Sequence, residues 1–193
     1  MLLSCYNNEM ELGKIVYKGK TKKGRDMLIR YPKKSDTPIL LDYMNTLSKE
    51  RTFIHFQGEQ LKLKEEEKYM NDFLKKIKKN QGVKLLAFIG DKLVGVSDTY
   101  LQEKTEKHVG VFGITVAKEY RGEGIGRLLM NLVIEEAKKY IKELKIVRLG
   151  CFANNKTACV MYKNSGFKEY GRLPAGIRHR GEFVDHVYFY KNI

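Results

Sequence analysis

The chain has 193 residues, 42% of them apolar, with 9 Phe and 12 Tyr as bulky packing groups; that size and content allow a buried core and exclude wholesale disorder. No run of 18 apolar residues occurs, which excludes an α-helical membrane span. The net charge of +14 favours anionic partners. However, Lys62, Lys64, Lys68, Lys75, Lys76, Lys78 and Lys79 are interspersed with glutamates as on a solvated helix face, and no nucleic-acid motif accompanies them.

At the N-terminus, Leu2-Leu3-Ser4-Cys5 loosely imitates a lipid-attachment box, but no basic stretch or long apolar run precedes it. Residues 1–25 are expected to form an extra strand (Leu12–Lys18) or a hairpin, followed by a strand at Met27–Tyr31. A helix is expected from Asp36 or Thr37, with Pro38 in its first turn, to about Lys49. Tyr69, Phe73, Leu74 and Ile77 recur at helical spacing within residues 62–79 and predict a second helix. Lys84–Ile89 and Leu93–Tyr100 flank Gly90-Asp91-Lys92 and read as a hairpin.

Val109–Ala117 reads as a strand covered on both faces. Leu129, Val133, Ala137, Tyr140, Ile141 and Leu144 then predict a helix over 125–143. A buried strand at Ile146–Phe152, a short helix over Lys156–Asn164 closed by Ser165-Gly166, and strands at Phe167–Arg172 and Glu182–Tyr190 complete a mixed α/β order. No repeat or linker divides the chain, so residues 1–193 are expected to form a single domain.

The three cysteines, Cys5, Cys151 and Cys159, have neither a metal-site spacing nor an even framework, and read as buried thiols in a reducing cytoplasm. No metal is expected, and the protein is expected to be cytoplasmic.

Chemistry concentrates in the turn Arg121-Gly122-Glu123-Gly124-Ile125-Gly126, between a strand and a long helix. Glycines expose backbone N–H groups there, and the first N–H groups of the helix have no internal partner, so the turn is an anion site. Arg121 and Arg127 add charged donors. The dinucleotide fingerprint fails, because Arg127 stands where its third glycine belongs. Gly19–Gly24 has P-loop spacing, but Arg25-Asp26 replaces the required Lys and Ser/Thr.

Ile114–Gly126 closely resembles the acetyl-CoA-binding motif of the GNAT (Gcn5-related) N-acetyltransferase superfamily, with Arg121, Gly124 and Gly126 filling the pattern Arg/Gln-x-x-Gly-x-Gly/Ala. Asn155, Ala158, Tyr162 and Gly166-Phe167 resemble its second hallmark, and the resemblance covers residues 84–173. It implies a single GNAT-like domain whose mixed, mostly antiparallel sheet has splayed strands and about four flanking helices. It also implies acetyl transfer from acetyl-CoA to a primary amine of a small molecule or amino acid. The alternatives are a protein N-terminus or lysine as acceptor, or a non-catalytic acyl-CoA-binding module; a homodimer is compatible with it.

By the same resemblance, backbone groups of Ile114, Thr115 and Val116 pair with the pantetheine arm. The amides of Arg121, Gly122, Glu123, Gly124, Ile125 and Gly126, with Arg127 beside them, hold the pyrophosphate. Asn155, Lys156 and Ala158 flank the cofactor, and Tyr162 is the general acid at sulfur. A backbone N–H near Thr115–Val116 is the expected oxyanion donor. The carboxylate many relatives carry on the strand before the turn is absent from His108–Gly113. Glu59, Asp98, Asp185, His108 and His186 are the possible substitutes as base.

Overall fold

The computed structural model describes residues 10–193; the Leu2–Cys5 segment, with Cys5, lies outside the described residues. Its eight-stranded sheet has the order β1-β2-β3-β4-β5-β6-β8-β7. The strands are β1 Ile15–Lys20, β2 Asp26–Arg30, β3 Gly82–Ile89, β4 Lys92–Leu101, β5 Val109–Val116, β6 Ile146–Phe152, β7 Lys168–His179 and β8 Glu182–Asn192. Four helices flank it: α1 Thr37–Lys49, α2 Leu63–Lys78, α3 Ile125–Tyr140 and α4 Lys156–Asn164. Among the described residues only β5 and β6 pair in parallel; the other neighbours are antiparallel. This is the mixed, mostly antiparallel α/β sheet expected.

Alternation along β4 turns Gly95 to one face and Asp98 and Tyr100 to the other. Leu129 of α3 lies over Gly95. Leu129, Val133 and Ala137, spaced four apart, are fully buried there; truncating a leucine in such a stripe costs about 2–5 kcal/mol. On the opposite face, Phe73 of α2 meets the Tyr100 ring edge-on at 5.9 Å.

The N-terminal hairpin, β1 with β2, packs against α3. The Tyr31 hydroxyl donates to Glu136 at 2.9 Å, and Lys14 Nζ donates to the Tyr140 hydroxyl at 2.9 Å. Asp36 precedes α1, but its carboxylate accepts from Arg30 at 2.7 Å and from the Lys33 N–H at 2.6 Å, rather than capping that helix.

Four boundaries differ from the sequence pattern. β1 begins at Ile15, not Leu12. α3 ends at Tyr140: Ile141 leaves helical angles and Leu144 N–H returns to Ile141 O, so a turn buries both residues at helix-like spacing. Leu173–His179 belongs to β7, and Arg180-Gly181, both at positive φ, turns the chain into β8. β5 is not covered on both faces: Gly113 is exposed and Ile114–Val116 are half-buried, because this apolar run borders a cleft.

Candidate active site

β5 pairs with β6 only from Val109 to Val111, opposite Ile146–Arg148. Beyond Val111, β5 stays on β4 while β6 continues along β8, so the two parallel strands splay. One backbone edge of Phe112–Val116 is left without a strand partner, and an extended amide-bearing ligand can add there. The wedge opens into a cleft of about 1910 Å³, with Ile114, Thr115 and Val116 on one wall and Gly150 and Cys151 on the other.

One end of the cleft is the glycine turn. Gly122 and Gly124 have φ of 79° and 86°, angles at which a side chain strains the backbone. Arg121 N–H returns to Lys118 O and Leu128 N–H closes on Gly124 O; between them, no N–H from Gly122 to Arg127 reaches a backbone carbonyl among the described residues. These free donors gather at the positive end of α3, an anion cradle by geometry and dipole.

The remaining sequence-predicted residues do not all face the cleft. Arg121 lines it, but its guanidinium is engaged: Nε donates to Val116 O and Nη2 to Glu50, both at 2.9 Å. The Glu123 side chain points away into the hairpin, where Thr21 Oγ1 donates to it at 2.8 Å and Lys23 and Arg25 stand 3.7 and 3.4 Å off. Ile125 is a core residue, whereas Arg127 and Lys156 are exposed at the rim. Asn155 Oδ1 accepts from Ala158 N–H at 3.2 Å and so caps α4.

Sequence reasoning missed Lys22. The hairpin turn hydrogen-bonds to the glycine turn through Lys22 N–H and Glu123 O at 3.0 Å. The Lys22 side chain thereby lies against Gly124 at the cleft. Only tertiary docking brings these two turns together.

Tyr162, on α4, lies mid-cleft. Its ring packs edge-on against Phe112 at 6.4 Å and Phe167 at 5.8 Å, and against Phe189 at 6.0 Å. Burial, aided by the Cys151 and Cys159 thiols, pushes its pKa above the ordinary phenol value, so it remains a donor at working pH. The two thiols are 3.5 Å apart and reduced; burial raises the Cys151 pKa, which keeps it a thiol.

The α1–α2 connection, β4 and β8 also line the cleft. Lys84, Asp98 and Gly113 form one row across β3, β4 and β5. Lys84 Nζ donates to Asp98 Oδ2 at 2.5 Å and to the Tyr69 hydroxyl at 3.0 Å; burial pushes its pKa down most strongly of any single cause, yet Asp98 and Tyr69 together raise it overall. Glu66, one turn before Tyr69, is 3% exposed. Its Oε1 is sealed from solvent without a hydrogen-bond partner, and burial raises its pKa. Nothing in the run Glu65-Glu66-Glu67 marks Glu66 out by sequence.

Of the substitute bases, Asp98 and His186 line the cleft, and Glu59, His108 and Asp185 do not. Glu59 is exposed and folds back onto the Gln57 N–H. Asp185 accepts from Arg172 and Ala175 N–H at 3.1 Å. Asp98 is committed to Lys84. His186 lies so close over Gly150 that a Cβ there would stand 2.1 Å from its Nε2. Burial, then the nearby His55, lower the His186 pKa.

Among the described residues, no group of three or more His, Cys, Asp or Glu is placed to hold a metal ion, and no helix is long and apolar enough to cross a membrane.

Comparison with known proteins agrees with this geometry. The profile of the Acetyltransferase (GNAT) family matches residues 43–167. An L-amino acid N-acetyltransferase of Escherichia coli is 31% identical over 109 residues, 55% of this chain and 67% of that protein. A GNAT-family acetyltransferase from Streptococcus pneumoniae superposes with a TM-score of 0.79 at 27% identity, over 86% of this chain and 99% of that one. An acetyltransferase from Salmonella typhimurium, solved with acetyl-CoA, superposes with a TM-score of 0.75 at 15% identity, over 86% and 93%. The chain belongs to the GNAT family and is an acetyltransferase that uses acetyl-CoA.

Proposed function

We propose that the acceptor is the primary amine of a small molecule or amino acid, and that direct attack on the thioester transfers the acetyl group. The observation that carries this reading is one continuous cleft joining the free N–H groups of Gly122–Arg127, the unpaired edge of β5, Tyr162 and the pocket beside Asp98.

In this reading the N–H groups of the turn, with Lys22 and Arg127, hold the pyrophosphate. The edge of Ile114–Val116 pairs with the pantetheine amides. Asn155, Lys156 and Ala158 border the cofactor from α4. The amine nitrogen attacks the thioester carbonyl, the C–S bond breaks, and the nitrogen gives up a proton. A backbone N–H of the Thr115–Val116 region faces the oxyanion.

Tyr162 serves the leaving sulfur as general acid. A thiol has a reference pKa of about 8.5, below that of the buried phenol, so Tyr162 acts by hydrogen-bond donation as negative charge accumulates on sulfur, and any proton that passes to sulfur is returned to Tyr162 from solvent. His186 is the base best placed: it is in the cleft, and its lowered pKa leaves it neutral at pH 7. The activity of the Escherichia coli relative toward L-amino acids supports a small acceptor.

The test is coenzyme A release from acetyl-CoA across a panel of amines, amino acids and short peptides. Release with small amines at rates well above hydrolysis supports the reading. Release only with peptides moves the acceptor to a protein N-terminus or lysine. Tight acetyl-CoA binding with no release by any amine leaves a non-catalytic module.

A further inference from the structure

We propose that the acceptor carries a second cationic group and that Glu66 holds it, which makes diamines and similar dications the preferred acceptors. The inference rests on the acetyl-transfer reading above and adds to it the chemistry of the acceptor's far end.

Glu66, Asp98 and Lys84 line the cleft, with Glu65 and Arg148 also among its lining residues. Lys84 is 2% exposed and is spent on Asp98 and Tyr69. Among the described residues no ion pair within 4.0 Å reaches Glu66 and its Oε1 has no hydrogen-bond partner, so Glu66 is left without a partner of its own. A carboxylate sealed from water without a donor is costly, and a bound cation offsets that cost. Glu65 does not compete, because its carboxylate accepts from the Lys62 N–H.

Position separates this charge from the reacting nitrogen. The splayed edge where the thioester would lie is on β5, whereas Glu66 is on α2, which packs over β3, two strands away. Neighbouring strands are about 4.8 Å apart, which puts β3 roughly 10 Å from β5. A single amine does not reach both places; an α,ω-diamine with its two nitrogens at the ends of a short alkyl chain spans much of that distance. Phe53, Phe56 and Tyr69 also line the cleft and give an alkyl chain apolar surface to lie on.

The experiment is calorimetric titration of the coenzyme A complex with 1,4-diaminobutane and, separately, with butylamine, both as chlorides. The diamine should bind about tenfold tighter or more, the scale of one charge-assisted hydrogen bond. Glu66→Gln should bring the two affinities together while leaving coenzyme A binding unchanged. Equal affinities in the native protein, binding of neither amine, or a diamine preference that survives Glu66→Gln would each overturn the proposal. The native-protein comparison stands even if the variant folds poorly. Failure of the acetyl-transfer reading shows up separately, as no coenzyme A release from acetyl-CoA with any amine, whatever the relative affinities of the two amines.

Discussion

Asp98 lies opposite Lys84 across β3–β4, with Nζ 2.5 Å from Oδ2, and opposite Gly113 across β4–β5. A carboxylate therefore does stand beside the residue where β5 lacks one, but it is bound to a buried ammonium. Asp98→Asn leaves Lys84 charged and unpaired, and should cost about 3–5 kcal/mol in urea unfolding. Lys84→Met combined with Asp98→Leu should recover most of that loss. A single variant as stable as the native protein would show that the pair is not what holds this row.

Tyr162→Phe keeps the ring in its nest of Phe112, Phe167 and Phe189 and removes only the hydroxyl. A donor to the leaving sulfur matters chiefly in the transition state, so kcat should fall at least about tenfold while the acetyl-CoA Kd changes less than about threefold. A parallel loss of binding and turnover would make the hydroxyl a cofactor ligand instead.

Thr21 and Glu123 join the N-terminal hairpin to the glycine turn. Thr21→Val leaves Glu123 Oε2 buried without its donor, at a cost of about 1–3 kcal/mol, and loosens the attachment that seats Lys22. Thermal unfolding should shift down and coenzyme A affinity should drop severalfold. Unchanged affinity beside a lowered Tm would confine the hairpin to a structural role.

The fold was legible where periodicity and punctuation agree. α4 and β6 match their patterns residue for residue because Asn155 and Gly166 bracket the helix and the strand is a buried apolar run. β5 misled because lining a cleft and lying in a core both select apolar residues. At the site, the glycine turn and Tyr162 were legible as local motifs. The motif speaks for the amides of Arg121 and Glu123; that their side chains fasten α1 and the hairpin depends on docking between distant segments, which no local pattern shows. Lys22 and Glu66 were invisible for the same reason: a lysine in a turn and a glutamate in a charged helix acquire meaning only from what packs over them.

His186 gives a pH dependence with a definite sign. Its folded pKa is lower than the unfolded value near 6.5, because the cleft desolvates the imidazolium and His55 repels it. The unfolded chain then binds more protons below pH 6.5, so this contribution to stability is present above that pH and is lost as pH falls through the folded pKa. A base that must be neutral makes the acid limb of kcat/KM follow the same titration. His186→Gln should flatten that limb, lower the plateau at least about tenfold, and reduce the acid sensitivity of the Tm. His55→Gln, which removes the repelling neighbour, should move the limb to higher pH without abolishing activity. An unchanged acid limb in His186→Gln would leave proton removal to another group or to water, whatever the stability data show.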